Sequence, residues 1–177
     1  MDQVKTALRI TVVSVSLIVA SGIAIGTIEV PGIEVLAIAL AQIAAFSLSI
    51  LGVPVSLDGV VINADGFLAV VVAQCTAIEL ILVFGSAVLV CPVSLGARMR
   101  ALSFGIPALC ALNLVRVVSL LFVGVSFPEH FDTAHLAVWQ TVMAAAALAM
   151  WFMWYKQASG GRRDDEPPSR WRLPARS

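Results

Sequence analysis

The sequence predicts an all-α polytopic membrane protein of about five transmembrane helices, with a short β-hairpin-like segment at the outer face. Three observations carry that prediction. First, 60% of the 177 residues are apolar and only 12% are charged, with a mean hydropathy of +0.98. A water-soluble domain carries about 25% charged residues, so there is too little charge here to cover a globule. Second, most charges are confined to the first nine residues, to positions 98–100 and to the tail from Lys156 onward. Third, five stretches approach the ~20 mostly apolar residues that a spanning helix needs. Together these exclude a nucleic-acid binder, a disulfide-stapled secreted domain and a disordered tail protein.

Residues 10–28 form the first stretch, with Lys5 and Arg9 before it. Its apolar run exceeds the ~7–15 residues of a signal peptide, so an uncleaved helix is expected. Residues 33–51 form the second, after the breaker Glu29-Val30-Pro31-Gly32. The third lies within 67–91 and is stopped by Pro92. The fourth runs from Ala101 to about Val125 and the fifth from about Ala134 to Tyr155. Residues 52–66 break the pattern, holding Pro54, Asp58, Asn63 and Asp65. There, Val60-Val61-Ile62 and residues 67–72 flank Asn63-Ala64-Asp65-Gly66, which reads as a hairpin leading straight into Gln74-Cys75. Residues 1–156 are therefore expected to form the transmembrane domain. Residues 157–177, charged and rich in Gly and Pro, are expected to be a disordered cytoplasmic tail.

Orientation follows from the Lys/Arg bias. The expected loop at 94–100 holds Arg98 and Arg100, and the tail holds Lys156, Arg162, Arg163, Arg170, Arg172 and Arg176. Both should be cytoplasmic, which turns the hairpin and the 126–134 loop outward. Five full crossings would then place Lys5 and Arg9 outside. Either the rule fails there or one of the first two stretches does not fully cross.

The three cysteines form no framework. Cys75 and Cys91 are ~24 Å apart if one helix carries both, whereas a disulfide needs Cα atoms within ~7 Å. No CxxC and no Cys/His metal spacing occurs, so neither a metal nor another cofactor is expected, and any cysteine chemistry belongs to a single thiol. Cys75 follows an extended segment and is expected to open a helix, with Gln74 and Thr76 beside it; a helix N-terminus and a nearby cation both favour thiolate. Read alone, a free cysteine is more often a small buried hydrophobe, the reading given to Cys91 and Cys110.

Arg116 sits inside the fourth stretch, where a charge costs ~2.5–3.5 kcal/mol and normally faces the bundle interior with a partner. Asn113, three residues earlier, shares its face. Two blander readings stand beside this: Arg116 snorkels outward, or it pairs structurally with Glu79. His135 starts the fifth stretch after Asp132-Thr133, and Asp132 is a candidate helix cap. An imidazole near a thiol can take its proton; a lone histidine can equally be a surface residue. His130 lies in a polar loop and reads as solvated. By depth, Cys75, Arg116 and His135 reach one level near one face.

These residues also form a family pattern. The hairpin leading into Cys75, the element Asn113-Leu114-Val115-Arg116 and His135 opening the last helix resemble the exosortase/archaeosortase family, most closely the small exosortase H type, over residues 53–155. The resemblance implies a membrane-embedded cysteine transpeptidase of the bacterial inner membrane, its active site facing the periplasm. It would process C-terminal sorting signals made of a short motif, a transmembrane helix and a basic cluster. It also implies a Cys–Arg–His triad carried onto Cys75, Arg116 and His135; beside it, Gln74, Thr76, Glu79 and Asn113 are read from their positions as substrate-binding or supporting residues. One departure stands out: the family cysteine is usually followed by Ser-Gly, and here Thr76-Ala77 follow. The partners implied are membrane-anchored substrate proteins and the bilayer, with no nucleic acid.

A different class remains open at this point. A small transporter or assembly subunit would use Arg116 and Glu79 as an intramembrane charge pair. No HExxH and no GxSx serine motif paired with these histidines supports a metallo- or rhomboid-like protease.

Overall fold

The computed structural model describes residues 32–164. Helix α1 (Ile33–Ile50) leads into strands β1 (Val55–Asp58), β2 (Val61–Ala64) and β3 (Phe67–Val70). A 3-10 turn (Ala73–Cys75), a short helix α2 (Ile78–Val90) and a long helix α3 (Leu95–Ser126) follow. A second 3-10 turn (Pro128–His130) and a π-helical turn (Thr133–Trp139) then open helix α4 (Gln140–Asp164).

Among the described residues three helices are long and apolar enough to cross a membrane: Ile33–Ile50, Leu95–Ser126 and Thr133–Ser159. They match the second, fourth and fifth stretches, while the first, residues 10–28, lies outside the described residues. The third, expected within 67–91, holds a shorter helix than a span requires. Phe67–Val70 pairs with β2, as the hairpin reading has it, and the helix that follows has 13 residues. That is ~20 Å, short of the ~30 Å hydrocarbon core.

The hairpin is present and larger than expected. Ala64 pairs with Phe67 across the two-residue turn Asp65-Gly66, whose residues have φ 46° and 89°, the signs that a type I′ turn demands. Asn63 Oδ1 accepts from the Gly66 N–H at 3.1 Å. The unforeseen β1 pairs antiparallel with β2 through a second two-residue turn at Gly59-Val60, where Gly59 has φ 60°. Ile62 and Ala64 are fully buried beneath the sheet, against Ala41, Ala44 and Leu48 of α1 and Val117 and Leu121 of α3.

Helix α3 is the axis of the molecule. Its buried residues are Ala97, Ala101, Gly105, Leu109, Asn113, Arg116, Val117, Leu120, Leu121 and Gly124, spacings of three and four that mark the inward face. That face is small at one end, and a Cβ at Gly105 would overlap the Phe84 ring of α2. Near the other end a Cβ at Gly124 would overlap Phe67 of β3. The expected loop at 94–100 is instead the start of this helix. Ser94 caps it, accepting from the Ala97 N–H at 3.3 Å, so Arg98 and Arg100 are helical. Arg98 Nη2 donates to the Cys91 carbonyl at 3.1 Å, setting a cation on the C-terminus of α2 where the helix dipole favours one. Trp154 Nε1 donates to the Ala97 carbonyl at 3.0 Å and ties α4 to the same end. Helix α4 continues to Asp164, so the first residues of the expected tail are helical; 165–177 lie outside the described residues.

Candidate active site

Cys75 ends the 3-10 turn that follows β3. The turn is closed twice at Ala73: the Thr76 N–H donates to the Ala73 carbonyl at 3.0 Å and the Thr76 hydroxyl donates to the same oxygen at 2.6 Å. Thr76 is itself extended, at φ −79° and ψ 159°, and this delays α2 until Ile78. Cys75 therefore stands ahead of the helix and does not open it, which weakens the helix-dipole argument for its thiolate. Its side chain is half-buried and packs on the cluster shared by α1, the sheet and α3. Gln74 is exposed. Thr76 is buried with its hydroxyl committed to the turn.

Asn113 is 2% exposed, and its Nδ2 donates to the Cys75 carbonyl at 2.8 Å. Its Oδ1 accepts from Arg116 Nη1 at 3.5 Å. Arg116 is 9% exposed, so it does not snorkel. Its Nε is buried with no hydrogen-bond partner. Among the described residues the one ion pair joins His130 to Glu129. The Arg116–Glu79 pair that the transporter reading needs is thus not formed. Glu79 instead sits half-buried in the first turn of α2, the end of a helix at which an anion is favoured.

His135 lies in the π-helical turn, half-buried. Its ring centroid is 5.8 Å from that of Phe131, which is 5.2 Å from Phe67. Phe67 in turn covers Gly124, so an aromatic relay runs from the sheet across α3 to the imidazole. The charges that act on His135 are those of Arg116 and Asp132. Asp132 makes no capping hydrogen bond, contrary to the expected cap. His130 is exposed beside Glu129.

The structure thus joins the Cys75 carbonyl, Asn113 and Arg116 through hydrogen bonds, with His135 reached from the sheet through Phe67 and Phe131. Gln74 and Glu79 are left outside that chain. The other two cysteines stand apart from it: Cys91 is buried at the end of α2 with its thiol donating to the Ala87 carbonyl at 3.2 Å, and burial pushes that thiol's pKa up. Cys110 is exposed on α3. Among the described residues no three His, Cys, Asp or Glu side chains gather as a metal site would require. A thiol, an imidazole and a guanidinium are the side-chain types that can act as nucleophile, proton acceptor and oxyanion donor.

Sequence reasoning missed two features of this site. The bond from Asn113 to the Cys75 carbonyl spans 38 positions, and nothing local signals it. Phe131 lies four residues before His135, a spacing that does place two side chains on one helical face and could have been read.

A family model described as Transmembrane exosortase matches residues 4–155, a span that includes Cys75, Asn113, Arg116 and His135. No curated protein and no solved structure matches the chain.

Proposed function

From the chain's place in the transmembrane exosortase family, to which it belongs, we infer that it is a cysteine transpeptidase that cleaves C-terminal sorting signals of exported proteins. The family is one of membrane transpeptidases involved in protein sorting, and at least three helices of this chain are of spanning length.

In the proposed reaction the Cys75 thiol gives its proton to His135 and attacks the carbonyl carbon of a peptide bond just outside the membrane. Arg116 stabilises the negative charge that develops on sulfur and then on oxygen, a contribution of about 2.7–4 kcal/mol for a preorganised donor. The C–N bond breaks, and the leaving amine takes the proton held by His135. The acyl group remains on Cys75 as a thioester until an amine or another acceptor resolves it by transfer, or water by hydrolysis. No cofactor enters these steps. The substrate's transmembrane helix would dock laterally, in a bacterial cytoplasmic membrane with the site facing outward.

The observation that carries this reading is Arg116. A buried guanidinium with no carboxylate partner among the described residues, hydrogen-bonded through Asn113 to the Cys75 turn, supports a role in receiving a transient anion. The test is replacement of Cys75 by Ala or Ser in cells that carry a target protein. Uncleaved target should accumulate in the membrane, and normal processing by Cys75→Ala would end the cysteine mechanism.

A further inference from the structure

We propose that Asn113 is a positioning residue that sets the Cys75 turn and the Arg116 guanidinium against each other, an inference that rests on the catalytic reading of those two residues. The chemistry of the neighbours fixes its role. On one side stands the Cys75 carbonyl, which can only accept; on the other stands Arg116, which can only donate. A residue between them must donate one way and accept the other. The asparagine amide does so, with Nδ2 toward Cys75 at 2.8 Å and Oδ1 toward Arg116 at 3.5 Å.

Its placement supports the same conclusion. Asn113 is almost fully buried, in a helix whose other buried residues, Arg116 apart, are apolar. An unpaired amide there would carry a desolvation cost, so both ends of the side chain are held to their partners. The Cys75 carbonyl belongs to a short turn between β3 and α2, whose packing on α3 is joined, among the described residues, by no hydrogen bond from a side chain of its own. Asn113 supplies that bond, and so determines where the thiol stands relative to the cation. Its oxygen is also the single hydrogen-bond acceptor that the guanidinium has among the described residues, and it carries no formal charge. A carboxylate at 113 would neutralise Arg116 and leave the Cys75 carbonyl without a donor. An apolar residue of the same bulk would fill the space and hold neither group.

Two variants of the full-length protein in detergent test this: Asn113→Asp and Asn113→Leu. The readout is the rate of Cys75 modification by iodoacetate relative to iodoacetamide near neutral pH, followed by mass spectrometry of the Cys75 peptide. The anionic reagent senses the nearby cation and the neutral reagent does not, so the ratio reports how Arg116 faces the thiol. In Asn113→Asp the ratio should fall roughly tenfold, the scale of one neutralised charge at short range. In Asn113→Leu it should also fall, with helicity and elution volume as in the parent. The Asp variant is isosteric and decides the matter if Leu disturbs folding. A ratio within twofold of the parent in Asn113→Asp overturns the proposal. So does a folded Asn113→Leu that keeps the parent ratio, which would leave Asn113 as packing only. No substrate turnover is involved, so the result is independent of whether Cys75→Ala still processes target protein.

Discussion

A guanidinium with one long hydrogen bond and no carboxylate is costly inside a helical bundle. Desolvation of the charge is only partly offset, and a protein that keeps such a group has a use for it. The neutral Asn113 amide satisfies one N–H and leaves the charge whole, whereas a glutamate at that distance would cancel it. Two changes at this residue separate charge from shape. Arg116→Lys keeps the cation and loses the planar fork. Processing should fall about 100-fold or more, as for removal of one oxyanion donor, and full activity in the lysine variant would assign Arg116 a purely electrostatic part. Arg116→Met keeps most of the bulk and removes the charge. It should raise the thermal stability of the detergent-solubilised protein by about 1–2 kcal/mol, since apolar replacement of a buried charge is often stabilising, while abolishing processing. Loss of stability on that change would mean that the guanidinium is structural.

At the scale of the element, the π-helical turn Thr133–Trp139 governs His135. A π turn holds one more residue than an α turn of the same span, so it resets the rotation of everything before it relative to α4. Deleting Ala137 should restore α-helical register and swing His135 by ~100° away from its present direction. Processing should be lost while helicity by circular dichroism stays unchanged; an active deletion variant would show that the turn has no part in aiming the imidazole. The aromatic relay offers a second handle. Gly124→Ala pushes on Phe67, and overpacking of this kind costs about 1–3 kcal/mol. Phe67 touches Phe131 and Phe131 touches His135, so processing should fall along with thermal stability. Gly105→Ala meets Phe84 in an equally tight contact but at the far end of α3. It should lower stability and spare the rate of the folded fraction. Equal effects of the two substitutions on that rate would break the link between relay and imidazole.

Across the whole molecule, what the sequence made legible divides by the range of the interaction. The β2–β3 hairpin was readable because Asp65-Gly66 between β-branched runs is a local signal. So were the spans of α1, α3 and α4, because length and hydropathy are local too. Strand β1 was not readable: Pro54 before it and Asp58 at its end are poor strand residues, and only pairing with β2 makes it a strand. The third apolar stretch carries a helix too short to span, because the extended Thr76 delays its start until Ile78, which hydropathy does not register. The depth of Cys75, Arg116 and His135 was inferred from helix arithmetic, and the hydrogen bonds that join the first two are long-range. Asn113 lies ~27 Å along α3 from Leu95, close to the thickness of the hydrocarbon core. The site should therefore open near one bilayer surface. With the proposed orientation, a membrane-impermeant maleimide added to intact spheroplasts should label Cys75 and spare Cys91 at the opposite end. Labelling of Cys91 alone would invert the topology.

The proposal stands most directly on the bond between Cys75 and an acyl group. The decisive measurement is mass spectrometry of the full-length protein quenched during turnover with a co-expressed sorting-signal substrate. A thioester mechanism predicts an acyl fragment on the Cys75 peptide, released by hydroxylamine and absent from Cys75→Ala. Continued cleavage with an unmodified Cys75, or an adduct found on a different residue, would contradict it.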